Sequence, residues 1–238
     1  MTKFRLRTKF LLSLLAVSSS LTFATLWLVH RSVRLQLQKE ITEDLQNSVI
    51  VFRDFQRQRE ITLTLTSFIL KAAALALHEH PQFNASLDAG AGELILKRYC
   101  HLGIAVATDR GLIVPVIRDV DKKPVMELAR ELAALAQRVR DGKAALDDLR
   151  GGTFTVTNIG ALGGTGAIPI INYPEVAILG VARGREEAVV RDGQIVPRLM
   201  LPLTLTFDHR VADGADGARF ASAIVRRLEH PDELLLGL

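Results

Sequence analysis

Residues 205–220 read LTFDHRVADGADGARF, setting His209 between Asp208 and Arg210, with Asp213 four residues further on among Gly and Ala. The alternating run LPLTLTF leads straight into this cluster. A His that titrates near neutrality can take a proton from a thiol or hydroxyl and return it, as a general acid–base must. At the end of a strand its side chain projects from a rigid support into a cleft, and the small residues after it leave room for a substrate. The alternative is a hydrogen-bonded His closing a strand in a polar turn. These sixteen residues alone do not separate the two.

Other chemistries can be set aside. Cys100 is the single cysteine, so no internal disulfide or multi-cysteine zinc site can form. It reads as a small buried hydrophobe, because only His101 stands beside it to activate a thiol. His78 and His80 point to different faces of a helix and have no third ligand near them, so no metal site is predicted. GALGGTGA, residues 160–167, lacks the Gly-Lys-Ser/Thr ending of a phosphate loop. The formal charge is +4, with Lys+Arg 10 against Asp+Glu 5 in residues 1–60 and 20 against 21 beyond. The body of the protein therefore lacks the basic surface of a nucleic-acid binder.

The elements that must position His209 begin near Ile61. With 48% hydrophobic and 24% charged residues, the 238-residue chain has enough apolar material for a real core. LTSFILKAAALALHEHP reads as a buried helix stopped near Pro81. HLGIAVATDRGLIVPVIRDV gives two β-rich runs broken at Asp109-Arg110-Gly111, the second made irregular by Pro115. A helix is predicted in DKKPVMELARELAALAQRVRDG, with Pro124 in its first turn, Val125, Leu128, Leu132, Leu135 and Val139 on one face and Gly142 as its stop. Strands are predicted in GTFTVTNIG, EVAILGVA, EAVVRDGQIVPRLML and LTLTF, the third folded at an Asp192-Gly193 hairpin turn. A last helix is expected from Gly214 to about Glu229.

The N-terminus has a different texture. Residues 10–29 hold no charge over 20 residues, which spans about 30 Å as a helix and predicts a single-pass membrane anchor. A cleaved signal peptide is the alternative, although no clean A-x-A site follows. Basic residues flank the stretch on both sides, leaving its orientation open. Residues 31–60 carry apolar positions Val33, Leu35, Leu37, Ile41, Leu45, Val49 and Phe52 at mostly three- and four-residue steps, the pattern of a long amphipathic helix. In texture this opening resembles that of bacterial membrane sensors. The domain expectation is thus an anchor at 1–30, an amphipathic helix at 31–60 and a catalytic domain at 61–238.

DHRVADG resembles the DHRxxDG signature of the dihydrolipoamide acyltransferase (E2) components of 2-oxoacid dehydrogenase complexes. HPQFNASLD, HLGIAVATDRGLIVPVIRD, GGTFTVTNIGALGG, PIINYPEVAILGVA and PRLMLPLTLTFDHRVADGADGARF occur in the family's order and spacing, so the resemblance covers roughly Leu63 to Leu238. It implies an α/β fold like that of chloramphenicol acetyltransferase, a mixed sheet with flanking helices. It further implies His209 as the base that deprotonates the thiol of coenzyme A or dihydrolipoamide, with Asp213 holding the geometry. Thr157 would be the hydroxyl donor to the oxyanion. Coenzyme A would be a substrate, a lipoyl group would come from a partner domain in trans, and no metal would take part. The family architecture implies a homotrimer or larger core, with His209 of one chain facing Thr157 of its neighbour.

Family members usually carry lipoyl and subunit-binding domains, which this sequence does not display, and a first catalytic segment where residues 10–60 stand here. Two readings follow. One is an acyltransferase, with its domain expected on the cytoplasmic side of a membrane. The other is a non-catalytic, membrane-anchored fusion of a sensor-like N-terminus to a shortened E2 core.

Overall fold

The computed structural model describes residues 63–109 and 111–236. The membrane span expected at 10–29 and the amphipathic helix at 31–60 lie outside those residues. Among the described ones, no helix is long and apolar enough to cross a membrane.

Helix α1 (Leu65–Glu79) is rich in Ala and Leu, and nine of its fifteen residues are buried. Lys71 is one of them, and its Nζ donates to the carbonyls of Asp121 at 2.6 Å and Lys123 at 2.9 Å. Burial lowers its pKa, while the two carbonyls replace the water the ammonium has lost. A hairpin that the sequence reading left unassigned follows, β1 (Ala85–Asp88) with β2 (Glu93–Leu96).

β3 (Leu102–Thr108) pairs antiparallel with β4 (Gly111–Ile113) and, past the break at Val114-Pro115, with β5 (Val116–Ile117). Helix α2 (Val125–Arg140) buries Val125, Leu128, Leu135 and Val139, leaves Leu132 partly covered, and ends before Gly142 at φ +69°. Next come β6 (Phe154–Asn158), β7 (Ala177–Val181), the hairpin β8 (Arg185–Arg191) and β9 (Gln194–Met200), and then β10 (Leu203–Phe207). The β8–β9 turn is Asp192-Gly193 with both φ positive, as a two-residue turn of that kind requires. Helix α3 (Gly214–Glu229) and the short α4 (Pro231–Leu236) close the chain.

The main sheet is mixed and runs β10-β7-β6-β3-β4. β3, β6 and β7 are mutually parallel, and β10 is antiparallel to β7. Alternation gives the sheet two different faces. Leu102, Ile104, Phe154, Val156, Ala177, Leu179 and Val181 join the core with α1, α2 and α3. The other face carries Thr153, Thr155, Thr157, Thr204 and Thr206 together with Gly103 and Gly180.

Phe83, Phe154 and Phe220 are fully buried. Phe83 and Phe220 stack at 4.6 Å, Phe154 meets Phe220 edge-on at 5.7 Å, and Phe207 meets Phe83 edge-on at 5.6 Å. Phe207, two residues before His209, is thereby tied to the centre of the core.

A Cβ on Gly217 would lie 2.6 Å from Cε1 of Phe207, whereas one on Gly214 would meet nothing within 4 Å. Gly217→Ala is therefore expected to cost about 1–3 kcal/mol through overpacking. Gly214→Ala should be neutral or stabilising by about 0.4–1 kcal/mol. Urea denaturation of the two variants measures both.

Candidate active site

Three side chains were predicted to carry chemistry: His209, Asp213 and Thr157. His209 sits on the turn that follows β10, and its ring is exposed. The turn is held from both sides. The Asp208 N–H donates to the Val176 carbonyl at 2.8 Å, and Val211 N–H donates to the Asp208 carbonyl at 2.9 Å. The Asp208 carboxylate accepts from Arg210 N–H and Nε, each at 3.0 Å, and from Nη2 at 2.6 Å. Bonds from the Arg210 side chain hold the Asp208 carboxyl below its usual range. The imidazole lies 6.0 Å from the Phe207 ring at an interplanar angle of 27°.

Asp213 caps α3. Its Oδ1 accepts from Asp216 N–H at 2.9 Å, and Asp213 N–H donates to Asp216 Oδ2 at 3.3 Å, a reciprocal capping box. The carboxylate therefore fixes how α3 leaves the His209 turn, which suits a geometric role better than proton transfer.

Thr157 is half-buried near the end of β6, on the face away from the helices. Asn158 secures that end, its Nδ2 donating to Thr66 Oγ1 at 3.2 Å and its Oδ1 accepting from Gly160 N–H at 3.0 Å. One chain does not bring Thr157 and His209 together. Register aligns Thr157 with Gly180 of β7, and Gly180 with Thr204 of β10. From Thr204, antiparallel β10 runs away from the end of β6 where Thr157 stands, so Phe207 is already about 10 Å further along the strand. His209 lies beyond it. The two groups occupy opposite ends of the sheet.

Cys100 is 1% exposed, and burial pushes its thiol up to about 12, which removes it as a nucleophile in agreement with its reading as a core residue. His78 Nε2 lies 3.2 Å from Asp121 Oδ2, while His80 packs edge-on against Phe220. The two His side chains do diverge.

The sequence reading missed one buried polar pair. Thr155 falls inside the strand predicted in GTFTVTNIG and Glu175 opens the one predicted in EVAILGVA, and the sequence reading assigns neither a role. Both are buried, at 1% and 6% exposure, and Thr155 Oγ1 and Glu175 Oε2 have no hydrogen-bond partner. An acidic residue opening the apolar run EVAILGVA was the signal that could have found it.

A profile described as 2-oxoacid dehydrogenases acyltransferase (catalytic domain) matches residues 22–236. The chain belongs to that family. The match takes in residues 31–60, which corrects their sensor-like reading. The match also begins inside the 10–29 stretch.

Among relatives of this acyltransferase-family chain is the dihydrolipoyllysine-residue acetyltransferase component of the pyruvate dehydrogenase complex of Haemophilus influenzae. It is 49% identical over 162 residues, 68% of this chain and 29% of the relative. The corresponding Staphylococcus aureus component is 42% identical over 185 residues, 78% of this chain and 43% of the relative. The chain thus spans less than half the length of these relatives. The solved dihydrolipoamide acetyltransferase of Azotobacter vinelandii is 42% identical with a TM-score of 0.75, over 81% of this chain and 79% of that one. The catalytic roles studied in that enzyme are those of a serine, a histidine and an asparagine, 52 and 4 residues apart. Thr157, His209 and Asp213 stand at the same two spacings. One hydroxyl replaces another at the first position, and a carboxylate replaces an amide at the third.

Removing the Asp213 cap has a direct cost. Asp213→Ala should destabilise the domain by about 1 kcal/mol, and Asp213→Asn should keep nearly full stability because Asn caps as well as Asp. Equilibrium unfolding at neutral pH separates the two.

Proposed function

We propose that the chain transfers an acyl group between a dihydrolipoyl thiol and coenzyme A. The observation that carries this reading is the 52- and 4-residue spacing shared with the serine, histidine and asparagine of the Azotobacter vinelandii enzyme. His209 takes the proton from the attacking thiol. The thiolate adds to the thioester carbonyl, and the resulting oxyanion accepts a hydrogen bond from the Thr157 hydroxyl. A positioned donor of this kind lowers the barrier by about 2.7–4 kcal/mol. Collapse expels the other sulfur, which recovers the proton from the His209 imidazolium. Atoms and charge balance without a metal ion or a covalent acyl-enzyme.

Opposite placement within one chain requires a second copy to supply the missing half of each site. The exposed apolar surface supports such assembly. Val190, Ile195 and Leu199 lie on one face of the β8–β9 hairpin at 75%, 76% and 74% exposure, and Ile168, Ile170 and Tyr173 on the loop before β7 are more exposed still. Patches of this kind mark contact surfaces. A structure related at 42% identity and a TM-score of 0.75 is that of the cubic core of a pyruvate dehydrogenase multienzyme complex. The assembly proposed is a homotrimer, as the family resemblance implies, in which every His209 faces a Thr157 of a neighbour. The lipoyl group would arrive on a partner protein, in the compartment that holds coenzyme A.

Acyl transfer from acetyl-, succinyl- and branched-chain acyl-CoA to dihydrolipoamide is the direct assay, run on the full chain in detergent. His209→Ala should abolish turnover, and Thr157→Val should lower kcat by about 10²–10³. Wild type that is folded yet inert across the acyl series would refute the reading. Coexpression of the two variant chains should restore activity at roughly a quarter of the sites, because each supplies the group the other lacks. Recovery no greater than the sum of the separate variants would mean that each chain holds a complete site of its own.

A further inference from the structure

Glu175 opens the run that becomes β7, and its carboxyl is turned inward. Oε1 accepts from Asn172 Nδ2 at 3.3 Å, and Oε2 is buried without a partner. Across from it, the Thr155 hydroxyl is also buried and unpartnered. It lies close enough to favour the ionised form of the carboxyl, yet no hydrogen bond of normal geometry joins them. Gly152 makes the packing possible, since a Cβ there would stand 2.8 Å from Glu175 Oε1.

Among the described residues, no cation answers this carboxyl. On the neighbouring elements, Arg118 spends its guanidinium on the carbonyls of Asp147 and Arg150. Arg210 is paired with Asp208, and His101 Nδ1 accepts from Asp119 N–H. Among the described residues, no ion pair reaches Glu175. An isolated buried carboxylate is strongly disfavoured, whereas a neutral carboxylic acid can donate its proton to Thr155 Oγ1 and satisfy both orphan atoms at once. Burial pushes the Glu175 carboxyl up from 4.5 to about 7.

The position of this group gives its protonation a consequence. Glu175 N–H donates to the Asn172 carbonyl, and the next residue, Val176, offers the carbonyl that receives the Asp208 N–H at 2.8 Å. Asp208 is the residue before His209. The His209 turn therefore hangs from the segment that the Glu175 carboxyl holds inward.

We infer that Glu175 is a positioning residue that fixes the His209 turn while its carboxyl is neutral and releases it on ionisation. Ionised, the carboxylate draws residues 172–176 toward water, loosens the Val176–Asp208 bond and lets the imidazole wander from its working position. The purpose of that positioning rests on the acyltransferase reading; the linkage from Glu175 to Asp208 does not.

The sign of the pH effect follows from the raised pKa. Folding favours the neutral acid, so its stabilising contribution is complete below about pH 4.5 and is lost as pH rises through about 7. Glu175→Gln keeps the shape and stays neutral throughout. Comparing Tm of the two full-length proteins from pH 4 to 9 should show the variant's advantage growing between about pH 4.5 and 7 and levelling off above that. A gap that stays constant would overturn the inference at its root.

Hydrogen exchange at the Asp208 amide tests the linkage without any substrate. Its protection factor in wild type is expected to fall about tenfold between pH 6 and 8 and to hold steady in Glu175→Gln. A widening Tm gap with unchanged Asp208 protection would leave Glu175 a buried acid that positions nothing. In acyl transfer, the loss of kcat above pH 7 should be relieved in Glu175→Gln. Absence of turnover at every pH would count against the acyltransferase reading alone, since the exchange and stability results stand without it.

Discussion

Five residue pairs join β10 to β7 in antiparallel register, and this pairing sets the direction in which the chain leaves the sheet after Phe207. β3, β6 and β7 point the other way. A group carried past the end of β10 and a group carried near the end of β6 are therefore driven to opposite edges. The core reinforces this direction, because Phe207 is held edge-on against Phe83, which stacks on Phe220 of α3. The strand before His209 and the helix after Asp213 thus share one aromatic cluster. The His209 turn is suspended between two fixed points, while its own side chains remain near the surface.

Much of this was legible in the sequence for physical reasons. β6, β7 and β10 show either continuous apolar runs or clean alternation, and α2 and α3 carry a single apolar stripe, so period alone locates them. Pro115 breaks β4 from β5 because it lacks a donor, and Asp192-Gly193 folds the hairpin because both residues accept positive φ. β1 and β2 were missed. They are four residues each, and β2 is exposed throughout, which leaves little pattern to read. The sensor-like reading of residues 31–60 rested on an apolar spacing that does not distinguish one family from another, and the family match over 22–236 gives it no support.

The site was only partly legible. Residue types and spacing marked His209, Asp213 and Thr157 through resemblance, but the opposition of Thr157 and His209 depends on strand order and register. Those are long-range facts that no local window contains. The Thr155–Glu175 pair was hidden for a related reason. Thr155 is an ordinary strand residue until Glu175, twenty positions away, is folded against it. Two buried polar side chains with open hydrogen-bonding capacity then meet with no charged partner among the described residues, and the neutral form of the acid is favoured.

The single cysteine bears on the proposed chemistry in one further respect. Thioesters react with any accessible thiolate, so a protein that exchanges them is exposed to acylation by its own donors. With its thiol pushed up to about 12 by burial and its side chain in the core, Cys100 presents almost no thiolate at neutral pH. Burial thereby keeps its one intrinsic sulfur nucleophile out of competition with the substrates of the proposed reaction.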